Sequence, residues 1–153
     1  MRGILFALVS VSFVTGAADP PARRYGIEAD LKTFPQATPK EALASVLKAI
    51  DAKRIDYLLA HLADPQFVDQ RVKENGGRFD ALVEETTGKL VDDPSAAKQL
   101  RRFLREGEWK IDADSASVQL KDVSDRAVYL RKVGERWFLK NQRKPEPVKP
   151  KEP

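Results

Sequence analysis

Gly107 to Lys140 reads GEWKIDADSASVQLKDVSDRAVYLRKVGERWFLK, and at its first residue the chain changes period. Before Gly107 apolar residues recur every three or four positions, the spacing of a helix face. After it they alternate, the spacing of a strand. Trp109, Ile111 and Ala113 alternate with Lys110 and Asp112, and Val118 and Leu120 with Gln119 and Lys121. Ala127 to Val133 and Arg136 to Lys140 are two further β-rich runs. Asp114-Ser115, Asp122 to Asp125 and Gly134-Glu135 read as the turns between them. Strands joined by such short links pair as an antiparallel meander. A sheet of about four strands needs one face covered to be stable, so the helices that precede it are expected to pack on it.

Towards the N-terminus, Asp93-Pro94 opens a helix carrying Ala97, Leu100, Phe103 and Leu104 on one side, which Gly107 closes. Phe79, Leu82, Val83 and Leu90 mark the helix before it, with Thr86-Thr87-Gly88 as an early stop. Asp64-Pro65 opens a short segment with Phe67, Val68 and Val72, closed by Asn75-Gly76-Gly77. Thr38-Pro39-Lys40-Glu41 is a capping box with proline at the first helical position, followed by Leu43, Val46, Leu47 and Ile50. Ile55, Leu58, Leu59 and Leu62 repeat the pattern, and Asp51 to Arg54 between the two runs reads as a kink or a short turn. The expected class is therefore α+β, with N-terminal helices packed on a curved C-terminal antiparallel sheet.

The ends of the chain differ from its middle. Met1-Arg2, the uncharged apolar run Gly3 to Val14 and the small residues Thr15-Gly16-Ala17-Ala18 have the layout of a secretory signal peptide over residues 1–18. The run is too short, and too soon followed by Asp19-Pro20-Pro21, for a membrane span. The expectation is an exported protein, periplasmic or secreted, with no stable membrane span after cleavage. Residues 19–37 read as an extended tether and 38–141 as the domain. Residues 142–153, with prolines at 145, 147, 150 and 153, read as a solvated Pro/Lys/Glu tail. The chain has no cysteine, so packing alone must hold the domain. Acids and bases are interspersed, with 33% charged residues and a net charge of only +4, which is not the clustered basic footprint of a nucleic-acid binder.

Helices followed by a run of antiparallel strands that can curl around the first helix resemble the NTF2-like, cone-shaped α+β superfamily. The arrangement around Thr38–Val72 and Gly107–Asn141 also resembles small exported proteins of uncharacterised function. The resemblance spans roughly residues 38–141. It implies a cone that is either a pocket or a filled core. The superfamily includes isomerases, dehydratases, transport factors and binding modules, so the layout does not choose among activities.

His61 is the only histidine, which leaves a zinc site poor company and makes no metal or cofactor expected. Tyr57, His61 and Asp64, spaced 4 and 3 apart, are the catalytic candidates, since one helix face can align them for proton transfer. A structural account competes and is preferred: His61 as a cation at a helix C-terminus, Asp64 as an N-cap and Tyr57 as a ring at the edge of the core. Lys98, Arg101, Arg102 and Arg105 form a basic stripe, read either as a contact for an acidic partner or as a solvated face paired with Asp80, Glu84 and Glu85. Trp109, Tyr129, Trp137 and Phe138 are the sheet aromatics. Alternation sends Trp137 and Phe138 to opposite faces, so one of them is expected to face a ligand, a partner protein or a second copy of the chain. The reading that follows is an exported, non-enzymatic binding module. The alternatives are a small lyase or isomerase using His61, or a structural module of the envelope.

Overall fold

The computed structural model describes residues 18–141. The expected signal-peptide run up to residue 17 and the expected tail from residue 142 lie outside them. Helix α1 (Pro39–Asp51) begins as its sequence dictates. Thr38 Oγ1 accepts the Glu41 N–H at 3.1 Å, and Glu41 Oε2 reaches back to the Ala37 N–H at 3.0 Å. The helix stops in a turn rather than a kink, with Lys53 at φ +55°. Helix α2 (Ile55–Tyr57) then runs straight into a π-helical turn (Leu58–Leu62), closed by the Ala63 N–H donating to the Leu58 carbonyl at 2.8 Å.

Asp64 and Asp93 cap α3 (Pro65–Glu74) and α5 (Pro94–Glu106), accepting the backbone N–H groups of Gln66 at 3.1 Å and Ser95 at 3.0 Å. Between them α4 (Phe79–Leu90) runs past the expected stop at Thr86-Thr87-Gly88. The Thr87 hydroxyl donates to the Val83 carbonyl at 2.7 Å inside the helix, so it does not compete with the backbone.

Four strands follow, β3 (Glu108–Ile111), β4 (Ser115–Leu120), β5 (Val123–Val133) and β6 (Arg136–Lys140), antiparallel in the order β3-β4-β5-β6. The expected turn at Asp122 to Asp125 is shorter than its sequence suggests. β5 already starts at Val123, opposite Leu120, because a register shift at Gln119/Leu120 absorbs the irregularity.

Register decides which side chains meet the helices. Trp109 pairs with Val118, Val118 with Val128, and Leu130 with both Ala116 and Leu139, so these residues share one face. That face packs on Ala42 and Leu43 of α1 and Phe103 of α5. The other side of α1, through Val46, Ala49 and Ile50, joins α2, the π turn and α3 in a second cluster. Leu100 and Leu139 touch both clusters.

Residues 19–37, read from sequence as a tether, are built into the fold. Arg23–Arg24 (β1) and Ile27–Glu28 (β2) form a two-residue hairpin around Tyr25 at φ +50° and Gly26 at φ +78°. The Tyr25 ring stacks on Phe79, centroids 4.2 Å apart and planes within 2°. Asp69 accepts from the Tyr25 hydroxyl and from Arg24 Nη2, each at 2.6 Å. The segment after the hairpin then lies along β6. The Trp137 N–H donates to the Gln36 carbonyl at 2.9 Å, and Gln36 Nε2 donates to the Trp137 carbonyl at 2.7 Å. Further along the same edge the Asp64 N–H donates to the Leu139 carbonyl at 2.8 Å.

Leu43 is fully enclosed between α1, α5 and the sheet, so Leu43→Ala should cost about 2–5 kcal/mol. Gly107 is constrained differently: a Cβ there would lie 2.2 Å from Val118 Cγ2 and 2.3 Å from the Phe103 carbonyl oxygen. That backbone oxygen cannot turn away, so Gly107→Ala should lose about 1–3 kcal/mol. Urea midpoints of the two variants check both values. A wild-type midpoint for Leu43→Ala would remove it from the core.

Candidate functional site

Two regions carry the features of a site. The first is a groove of about 600 Å³ between the helices and the sheet, where β5 and β6 run beyond the cover of α1. Leu58, Phe67, Leu82, Leu100, Val128 and Leu139 give it an apolar floor. Its rim is charged: Arg71 lies 3.3 Å and Lys89 2.7 Å from Glu85, and Lys140 closes the far end. Concave, mostly apolar volume with a few polar groups at the edge is the usual form of a ligand site. The floor is the seam between the two hydrophobic clusters, where helices leaving α1 diverge from the sheet.

A second region lies under the N-terminal arm. His61 sits in the π turn with no exposed surface, and its ring centroid is 5.1 Å from that of Tyr57. His61 Nε2 lies 2.7 Å from the Ile27 carbonyl, so it carries the proton and donates, while Nδ1 has no partner among the described residues. Tyr57 accepts the Asp30 N–H at 2.8 Å, which ties the arm to the same spot. Burial pushes the Tyr57 hydroxyl above its ordinary pKa. Burial also pulls the His61 pKa down, helped by the positive charges of Arg136 and Arg24 and opposed by the bond to Ile27 and by Glu28. The imidazole is therefore held neutral. This corrects the expectation of a helix-end cation: the ring is enclosed by the arm before the helix dipole can matter.

The expected Tyr57-His61-Asp64 row is only two-thirds assembled. Asp64 faces elsewhere, capping α3 and pairing with Arg131 Nη2 at 2.9 Å. The π turn ends at Leu62 and Ala63 is extended, at φ −85° and ψ 153°, so helical spacing no longer relates Asp64 to His61. Arg136, which periodicity did not single out, is the charged residue brought into range of both Tyr57 and His61.

The aromatic expectation is also corrected. Trp137 and Phe138 do point to opposite faces of β6, but neither is open, at 4% and 0% exposed. Trp137 packs in the cluster of Leu43 and Phe103. Phe138 lies on the side covered by the arm and the π turn, with the Arg136 guanidinium carbon 5.2 Å from its ring centroid. Trp109 is half-buried, with Lys40 Nζ 6.0 Å from its ring centroid, and Tyr129 is half-buried at the sheet end of the groove.

The basic stripe is mostly paired, but not with α4. Arg101 pairs with Asp51, Arg102 with Asp122 at 2.9 Å and Glu106 at 3.3 Å, and Arg105 with Glu106 at 2.9 Å. Lys98 alone of the four forms no ion pair among the described residues. Of the expected partners, Glu85 pairs with Arg71 and Lys89 and Asp80 with Arg78, while Glu84 forms no ion pair among the described residues.

Among the described residues no three His, Cys, Asp or Glu side chains gather as a cation site, and no helix is long and apolar enough to cross a membrane. No protein-family profile, curated protein or solved structure matches the chain.

The neutral, buried state of His61 sets a pH dependence. The unfolded chain protonates its histidine at about pH 6.5, whereas the folded chain does so only at lower pH. Below about pH 6.5 the unfolded state thus binds more protons, and stability falls from there towards the lowered folded value. Carboxylates add their own loss mainly below about pH 5. Stability against urea across pH 7 to 5 should decline for the wild type and stay flat for His61→Gln, which keeps an N–H for Ile27. An equal decline in both would show that His61 is not the group titrating.

Proposed function

We propose that this protein is an exported, non-enzymatic binding module of NTF2-like build, and that it holds an apolar or amphipathic ligand in the groove between helices and sheet. One observation carries the reading: a space of about 600 Å³ lined by residues of the π turn, α3, α4, α5 and the sheet, mostly apolar, with the charges of Arg71, Glu85, Lys89 and Lys140 beside it. The layout agrees with the NTF2-like reading, since helices cover one face of a four-stranded antiparallel sheet and α1 lies across it. An acid/base enzyme working through His61 is less well supported, because the ring has no exposed surface and its Nε2 is spent on the Ile27 carbonyl. The rim charges, Arg71, Lys89 and Lys140 against Glu85, favour a ligand with an apolar body and an acidic end. Export rests on the charged start, apolar run and small residues of the first 18 positions.

Thr86 is half-buried on the α4 wall of the groove, on the same helix face as Leu82 and Leu90, where a large side chain fills the space without opening the core. Titration with a fluorescent fatty acid should give saturable binding to the wild type. Thr86→Trp should weaken it at least about tenfold, ~1.4 kcal/mol, with an unchanged melting temperature. Wild-type affinity in the filled variant would place binding elsewhere. For export, the intact mass of the protein recovered from outside the cytoplasm should correspond to a chain beginning at Ala18 or Asp19; a full-length, membrane-embedded chain would count against it.

A further inference from the structure

Arg136 is a buried cation that forms no ion pair among the described residues. It is 6% exposed, and a guanidinium keeps its proton under any ordinary condition. Among the described residues Nη1 has no hydrogen-bond partner, and Nη2 reaches only the Pro20 carbonyl, at a long 3.3 Å. Asp19 is near enough to be felt, yet it makes no ion pair with Arg136, and its Oδ1 accepts the Glu135 N–H at 2.7 Å. A charge left in this state is strongly unfavourable, and the natural remedy is an anion. Nη1, unpartnered, and Nη2, held only by the long bond to Pro20, form the edge of a guanidinium that grips a planar carboxylate through two parallel N–H···O bonds.

Beside that edge lies a cavity of about 350 Å³. Its wall is short and apolar, from Pro20, Ala22, Ala29, Leu31 and Pro35. Gln36, in the same wall, is 2% exposed and has an unpartnered Oε1, because its Nε2 is fixed on the Trp137 carbonyl. Two buried polar side chains with unmet atoms therefore line one small cavity. We propose that this cavity binds a small aliphatic monocarboxylate, its carboxylate end-on to Arg136 in place of the Pro20 carbonyl and its alkyl body against the arm. Asp19 and Glu135 also line the cavity, which disfavours a dianion such as phosphate. The site is independent of the groove, which lies between helices and sheet and shares no lining residue with it.

The test is titration of the full domain, ¹⁵N-labelled, with butanoate, butylamine and inorganic phosphate. Butanoate should move the backbone amides of Leu31, Gln36 and Arg136 saturably and raise the melting temperature, while the other two leave both unchanged. Arg136→Met should abolish the response and melt no lower than the wild type, because it removes an uncompensated charge. Leu31, 48% exposed at the mouth, offers a variant that leaves the core untouched: Leu31→Trp should block butanoate while keeping the wild-type spectrum elsewhere. The proposal falls if butanoate gives no saturable shift, if phosphate binds as well, or if either folded variant binds butanoate like the wild type.

Discussion

The outer edge of β6 is the constraint from which the rest of this structure follows. A strand at the end of a sheet presents unpaired N–H and C=O groups, which proteins cover or blunt. Here two irregular segments take them. Gln36 exchanges hydrogen bonds with Trp137 through its backbone and its side chain, and Asp64 donates its N–H to Leu139. To reach that edge, the segment before α1 and the end of the π turn must both lie beside β6. The N-terminal arm is therefore a structural element, and the face of β6 turned away from the helices is as buried as the face turned towards them.

Polar chemistry is enclosed as a consequence. With the arm in place, His61, Tyr57 and Arg136 lose solvent together, and each responds according to its type. The imidazole stays neutral and gives its one proton to Ile27. The phenol holds its proton more tightly and accepts from Asp30. The guanidinium cannot shed its charge and is left with an unmet edge. The groove on the helix side has the opposite character, apolar inside and charged only at the rim. One small domain thus holds two recesses of different chemistry, an apolar seam between its clusters and, under its arm, an apolar-walled recess with Arg136, Asp19 and Glu135 in its lining.

Surface charge is organised by the same packing. Arg101 and Arg102 look from sequence like a stripe offered to solvent, but they bridge α5 to the end of α1 and to the β4–β5 turn. Exposed pairs of this kind are individually weak, about 0–1 kcal/mol each. Their effect is to leave little of the stripe free for a partner.

Local signals determined much of the fold. Thr38 and Glu41 fix the start of α1, Asp64-Pro65 and Asp93-Pro94 start α3 and α5, and the change of period at Gly107 divides helices from sheet, because capping and periodicity act within a turn or two of chain. The antiparallel order of the strands follows from their short links. The rest needed contacts distant in sequence. Burial of Phe138 depends on an arm more than a hundred residues away, which alternation within β6 does not reveal. The helix ended at Leu62 and the extended backbone at Ala63 separated His61 from Asp64, whereas helical spacing assumes that the helix continues. Arg136 sits in a strand where a charge normally marks the solvent side, and only docking of Pro20 and Gln36 over it made it a buried cation. Sequence by itself therefore determined the elements, their caps and their order. Tertiary structure alone decided which polar groups are shut away from water, because that depends on what lies across a side chain and not on its neighbours along the chain.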